Sequence, residues 1–342
     1  MTRNSTSTQS IIALLNVGAK IEIALNHAAN GKDNDPKTYA KEQQNYQDFK
    51  RSYVLSAEEM CIVLAAKKLN CTVIDDISGI EVKAFFSKLI NRSDELTNQR
   101  FQAIIQSGDA KPHWSIIDIN ISKEHGIEIF HFDPIISKTQ VENNITNNGS
   151  KIEGVLLSLP NNKEKPIKIF HSYSPLPRVN GKKELIQKDQ RSCSIFALSG
   201  TLTMSKMNNL HDLVRNKAEI IYNHPDKSFI QYQVDVTELP ASLLKSCQSY
   251  LLIDHYEEKH KDNQEGLNQI GKKASTLKEY TDAHSHEDIP LDNNPEKRIR
   301  QNLSIFFKRD KYKELVAKTT QAQTSEGPQD TDARNTRFSG PN

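Results

Sequence analysis

Cysteine is scarce and scattered in this chain: Cys61, Cys71, Cys193 and Cys247 are the four, and none stands at metal-ligand spacing from another. That excludes a disulfide framework and reads as thiols of a reducing compartment. A long apolar run is also missing. The most apolar early stretch, SIIALLNVGAKIEIALN over 10–26, is interrupted by Lys20 and Glu22, whereas a membrane span needs about 18 or more apolar residues in a row. It has no basic lead-in to a clean apolar segment either, so it does not read as a Sec signal peptide. Charge of one sign is missing too. Lys and Arg number 45 against 43 Asp and Glu, a net charge of +2. Bulk charge therefore points to no nucleic acid or other highly charged partner. What the chain does have is length: 342 residues, enough for one or two cores.

The pattern along the chain predicts a mixed α+β domain, with helices around a central sheet. Residues 1–9 are polar, and 10–29 carry apolar residues at helical spacing. Ser56 with Glu59 forms a capping-box pattern ahead of an apolar run, and 80–89 reads as a further helix. IEGVLLSL at 152–159, PIKIFHSY at 166–173 and FIQYQVDV at 229–236 read as strands. Cys193–Leu210 reads as a helix, 254–275 and 281–297 as long polar loops, and 299–318 as a last helix. The boundaries expected are 1–49 as a polar segment and helix, 50–250 as a core, 251–318 as a C-terminal part with long loops, and 319–342 as a Thr/Gln/Ser/Gly/Pro-rich disordered tail.

HWSIIDINISKEHGIEIFHFDP at 113–134 holds the only tryptophan and reads as a hairpin. Ile117, Ile119 and Ile121 alternate with Asp118 and Asn120, the pattern of a half-buried strand. Gly126 ends the turn, free to take positive φ. A turn centred near Glu124 pairs residue 113 with about 135, and neighbouring strands lie about 4.8 Å apart. His113 and Asp133 therefore come within reach at the open end. An Asp beside an imidazole fixes its tautomer and stabilises its charged form, the orienting role in a nucleophile–His–acid triad. A surface His at a strand end is the plainer alternative. In the same hairpin, His125 and Glu128 are expected to be exposed. His131, two residues before Asp133, shares its side of the sheet and competes weakly for the same role.

Cys193 stands where the polar loop IQKDQRS meets an apolar helical run, with Asp189 and Ser192 available as caps. A thiol at a helix N-terminus is easier to ionise, because unsatisfied N–H groups and the dipole favour thiolate. A buried structural Cys is the competing possibility. Gln187, six residues earlier, offers a side-chain amide that can donate to a developing oxyanion.

These residues carry a resemblance. His113-Trp114, Asp133 at the end of the next strand, then Gln-x5-Cys ahead of a helix is the order of the Ulp1/SUMO-protease-like cysteine peptidase fold. Within it the chain resembles the YopJ family of bacterial effector acetyltransferases: HWSIID is similar to its His-Phe-Ser-Val-Ile-Asp run, FHFDP to its Phe-Glu-Pro, and QKDQRSCSIFAL to its Gln-x5-Cys-Gly-Ile-Phe segment. ELPASLLKSCQS at 238–249 is similar to a later Leu-Pro…Lys-His-Thr-Gln stretch, and LKEY at 277–280 and the helix from 299 also have counterparts. The resemblance spans about residues 50–318. Four departures stand out: Asp133 replaces the family's Glu, Ser194 replaces the Gly after the cysteine, Ser246-Cys247 replaces His-Thr, and a long polar insertion at about 254–275 follows Gln248.

The resemblance implies an Ulp1-like catalytic core of a mixed sheet flanked by helices, with a helical regulatory region built from N- and C-terminal segments. It implies ping-pong acetyl transfer from acetyl-CoA through Cys193, with His113 as base, Asp133 as its partner and Gln187 at the oxyanion. It implies CoA contacts at His113, Lys188, Asp189, Lys297, Arg298 and Arg300, and contacts to the activator inositol hexakisphosphate at Lys206, Lys245 and Gln248. A solvated charged face is the competing reading of Lys297, Arg298 and Arg300. The acceptor it implies is a Ser, Thr or Lys of a host signalling protein, such as a kinase. The protein is expected to be secreted and delivered into the host cytoplasm by a bacterial secretion system, with residues 1–49 as the secretion-signal region. No metal is expected: His284 and His286 have no further spaced ligands beside them. Two alternatives use the same residues. One is a ubiquitin- or SUMO-directed cysteine protease, and the other is a non-catalytic binding protein on a decayed scaffold.

Overall fold

The computed structural model describes residues 55–75, 79–107, 113–137, 147–159, 166–176, 184–187, 192–224, 229–262, 270, 275–287 and 300–325. Helices α1 (Ala57–Ala66), α2 (Ile80–Asn91) and α3 (Asn147–Ser158) fall among strands β1 (Cys71–Ile74), β2 (Gln99–Ser107), β3 (His113–Ser122), β4 (Gly126–Phe132) and β5 (Ile167–Tyr173). There follow α4 (Cys193–Met204), α5 (Leu210–Lys217), β6 (Glu219–His224), β7 (Phe229–Asp235), α6 (Ala241–Leu244), α7 (Tyr250–His260), α8 (Leu277–Ala283), the short pair β8 (Ser285–Glu287) and β9 (Arg300–Asn302), and α9 (Leu303–Ser325). Seven strands form one mixed sheet in the order β1-β2-β3-β4-β5-β7-β6. The fold is α+β, a mixed sheet flanked by helices.

Helices cover both faces. Trp114, Ile116, Phe130, Phe132 and Phe170 pack on one face with Cys193, Phe196 and Leu198 of α4 and with Leu252, Ile253 and Tyr256 of α7. Ile117, Ile119, Ile121, Ile127 and Ile129 pack on the other with Val82 and Phe86 of α2 and Ile152 and Leu156 of α3. A Cβ on Gly200 would come within 2.4 Å of Ile116 Cδ1, so this glycine lets α4 lie close on β3. Among the described residues no helix is long and apolar enough to cross a membrane.

The hairpin register matches the expectation. Ile116 pairs with Phe132 and Ser122 with Gly126, and Gly126 takes φ +75°. The capping box at Ser56 and Glu59 is present. Four expectations are corrected. IEGVLLSL lies in helix α3, because Ile152, Leu156 and Leu159 meet the sheet at helical spacing, and a short apolar run alone does not distinguish the two. The polar stretch from 254 starts inside α7, which presents Leu252, Ile253, Tyr256 and His260 inward. The helix beginning at Cys193 stops at Met204, and a second starts at Leu210. The last helix runs on through 319–325, a stretch expected to be disordered. The sequence reading also missed β1, β2 and β6. The amphipathic segment at 10–29 and the tail beyond 325 lie outside the described residues.

Candidate active site

Three elements converge at one end of the sheet. β3 begins with His113, β4 ends just before Asp133, and α4 begins with Cys193. His113 Nε2 lies 2.8 Å and 2.9 Å from the two Asp133 oxygens, and the same imidazole is hydrogen-bonded to Cys193. With Nε2 turned to the carboxylate, Nδ1 is the ring nitrogen left for the sulfur. Burial works against charge on His113, but the Asp133 carboxylate and then Cys193 outweigh it and raise the imidazole to about 10. Burial alone would push the Asp133 carboxyl up. The charged His113 beside it, with help from the Ile135 N–H, holds it below the usual carboxylate range.

The acid is fixed from behind. Ser172 Oγ accepts from the Asp133 N–H at 3.2 Å. His131, the competing histidine, points elsewhere. Its Nε2 meets Ser115 Oγ at 3.1 Å and its Nδ1 meets His171 Nδ1 at 3.0 Å. His171 Nε2 in turn lies 2.8 Å from Glu153 Oε1. Burial, with His171 beside it, pushes His131 down to about 3. It therefore stands as a neutral neighbour and places no second cation beside Asp133.

Gln187 is buried, and its N–H donates to Pro134 O at 3.0 Å, directly after Asp133. Ile186 packs in the same cluster as Trp114 and Cys193. Ser192 is the N-cap of α4, but its hydroxyl makes no cap bond there. The expected cap Asp189 lies outside the described residues, as do Lys188, Lys297 and Arg298. Arg300 falls in β9, and its side chain is not described. Ser194, one of the departures, has a job: it is fully buried, and its Oγ accepts from the Leu55 N–H at 3.0 Å, tying the start of α1 to α4.

A second cluster lies along the later half of α4. Lys206 follows that helix, and Lys245 and Ser246 follow α6. Lys308 of α9 reaches Ser199 Oγ at 2.8 Å and Ser246 Oγ at 3.0 Å. Burial and Lys206 lower Lys245, and burial and Lys245 push Lys308 down to about 7. Gln248 is buried, and its N–H donates to Ile186 O at 2.8 Å. Like charges so close, partly stripped of water, suit an anion. Lys308, Ser199 and Ser246 were not legible beforehand, because the helix that carries Lys308 reaches the cluster across 62 residues of sequence from Ser246.

Two expectations about the hairpin fail. Glu128 is fully buried and takes two hydrogen bonds from Arg215, at 2.9 and 3.0 Å. Asp118, on the face expected to be open, is fully buried beneath α4 and α5.

No curated protein matches the chain. Solved structures do, three of them as follows. AvrA delL154 with IP6 and CoA shares 16% identity, covers 90% of this chain and 98% of its own, and superposes with a TM-score of 0.51. HopZ1a in complex with IP6 shares 12% identity, covers 90% and 99%, and reaches 0.52. A complex of HopZ1a with both IP6 and CoA gives the same TM-score. These establish the fold. The family profile described as "YopJ Serine/Threonine acetyltransferase" matches residues 25–314, most of the 342-residue chain, and so the chain belongs to the YopJ acetyltransferase family.

Proposed function

We propose that this acetyltransferase transfers acetyl from acetyl-CoA to Ser, Thr or Lys side chains of host signalling proteins, with Cys193 as nucleophile. The observation that carries the reading is His113 held between Asp133 and Cys193. The Cys193 sulfur attacks the acetyl carbonyl, the C–S bond to CoA breaks, and the CoA thiolate leaves with the proton that His113 gives up, so His113 is neutral when the second half begins. Gln187 and the N–H groups opening α4 stabilise the oxyanion of that step. In the second half, His113 removes the proton of the acceptor hydroxyl or amine. The acceptor attacks the acetyl-cysteine, and the Cys193 thiolate leaves.

The two halves call for different behaviour of one imidazole. Cys193 is among the causes that raise His113. Once the sulfur is acylated that contribution falls away, and His113 becomes neutral more readily when it must accept a proton. Asp133 holds the ring in place in both halves.

Lys188, Asp189, Lys297, Arg298 and Arg300, with His113, are the proposed contacts of CoA. Lys206, Lys245 and Gln248, joined by Lys308, are proposed to hold inositol hexakisphosphate. Three ammonium groups that repel one another are relieved by a polyanion, and burial makes the gain larger than on an open surface. Both solved relatives were obtained with IP6. Delivery into the host cell by a bacterial secretion system fits the family's effectors.

The test is intact-mass spectrometry after mixing with acetyl-CoA, with and without inositol hexakisphosphate, beside a ubiquitin-probe reaction. One acetyl adduct is expected on the wild type, more with the activator, and none on Cys193→Ala. Probe capture without any acetyl adduct would turn the reading towards an isopeptidase.

A further inference from the structure

Residues 184–187 lead to Gln187 and are held at several points. Gln187 is tied to Pro134 and Ile186 to Gln248, both through backbone hydrogen bonds. Glu184 carries the rest. Its carbonyl accepts from Ser174 Oγ, and its carboxylate accepts from Ser249 Oγ at 2.5 Å. Ser249 is the N-cap of α7, where its Oγ also accepts from the Leu252 N–H at 3.1 Å. Ser249 is fully buried and Glu184 nearly so. Burying a carboxylate is expensive unless it is hydrogen-bonded, and an apolar side chain could fill the space at no such cost. What the carboxylate adds is direction: it fixes Glu184, three residues before Gln187, to the rigid start of a helix.

We propose that the Glu184–Ser249 pair is a positioning latch that sets the Gln187 amide where the oxyanion develops. The latch rests on the reading of Gln187 as an oxyanion donor. Such donors act only when they lie about 2.7–3.1 Å from the developing charge. A shift of 1 Å in a positioned group can cost on the order of 10²-fold. The loss falls on the chemical step and not on binding, because the ground-state carbonyl makes little use of the donor.

The experiment compares kcat and KM for acetyl-CoA, read as CoA release by the full chain with inositol hexakisphosphate present. Ser249→Ala, which removes the donor, and Glu184→Leu, which removes the acceptor, are expected to lower kcat about 10- to 100-fold with KM unchanged. Ser249→Thr, which keeps the hydroxyl, is expected to recover most of the rate, a recovery that mere loss of packing would not give. In a Gln187→Ala background, adding Ser249→Ala should cost nothing further, because the latch then has nothing to position. Gln187→Ala with undiminished kcat removes the oxyanion reading and the latch with it. A slow Gln187→Ala beside unchanged Ser249→Ala and Glu184→Leu, or losses that multiply, overturns the latch alone. Should Ser249→Ala not fold, Glu184→Leu carries the same comparison.

Discussion

Strand β3 carries two histidine–aspartate pairs of almost equal length. At its start His113 meets Asp133 at 2.8 Å, and in its middle Asp118 meets His211 at 2.9 Å. Their surroundings differ. The imidazole of the first is 13% exposed and also bonded to a cysteine sulfur. The carboxylate of the second is fully enclosed. It takes Arg100 Nε and Nη2 at 2.6 and 2.7 Å and Gln102 Nε2 at 2.6 Å. Arg100 then donates to Met204 O and Met207 O, capping the far end of α4. One pair stands at the N-terminus of that helix and touches Cys193, the proposed nucleophile. The other anchors its C-terminus. A His–Asp contact is therefore no sign of catalysis by itself; the third partner decides, a thiol in one case and a guanidinium in the other.

The sharpest way to break this comparison is to neutralise each carboxylate in turn. Asp133→Asn should still fold, with some stability lost because His113 no longer has the carboxylate that holds its charge, yet kcat should drop by about 10⁴, the loss seen when an amide stabilises the wrong imidazole tautomer in a serine triad. Asp118→Asn should do the reverse. It leaves the Arg100 cation without its carboxylate, at a loss of stability of about 3 kcal/mol, the low end for a broken buried pair because Arg100 is partly exposed. Turnover per folded molecule should stay near wild type. Urea melts and steady-state rates on both variants check this. An Asp118 variant that folds normally but turns over slowly would merge the two pairs into one machine.

A pH titration of stability sharpens the contrast. His113 rises to about 10 in the folded protein from an ordinary value of 6.5. A raised folded pKa means that the native state holds the proton more tightly. The stability from this group is therefore complete below pH 6.5 and is lost as pH climbs towards 10. Asp118 behaves oppositely. Burial pushes its carboxyl up, but His211 and Arg100 overrule burial and leave it lowered from 3.8, so its contribution is present above that value and lost as pH falls through the folded one. Melting temperature across pH 6.5–10 should fall more steeply for wild type than for His113→Gln. The Asp118→Asn variant should keep the wild-type slope over that window. Parallel slopes for wild type and His113→Gln would show that the imidazole is not raised.

Why was one pair legible in the sequence and the other not? His113 and Asp133 lie 20 residues apart in one hairpin, and counting from the turn places them. Cys193 and Gln187 could be read from spacing, since a loop must fold back where a helix begins. Asp118 and His211 are 93 residues apart. Alternation in β3 marked Asp118 as polar, and polar reads as solvent-facing, because nothing local announces that α4 and α5 will close over it. Glu128 failed for the same reason, with Arg215 reaching it from 87 residues away. The mixed sheet itself was readable in outline from its apolar central strands. Its edges were not: β6 leaves Ile220 and Tyr222 exposed, so its side chains give little of the burial pattern of a central strand.

The smallest expected effect concerns Ser194, which sits beside Cys193, the proposed nucleophile, yet belongs with the anchoring side of the comparison. Its hydroxyl accepts from the Leu55 N–H, 139 residues away, and both residues are fully buried. Ser194→Gly would leave that N–H without its partner inside the core. The cost should be about 1–3 kcal/mol for a buried unsatisfied donor, and a glycine in the first turn of a helix adds little to it. His113, Asp133 and Cys193 keep all their contacts, so kcat should be unchanged. A loss of melting temperature with full turnover would place Ser194 with Asp118 among the groups that seat α4. A loss of turnover at full stability would instead place it with Asp133, and the line between reacting and anchoring ends of the helix would have to move.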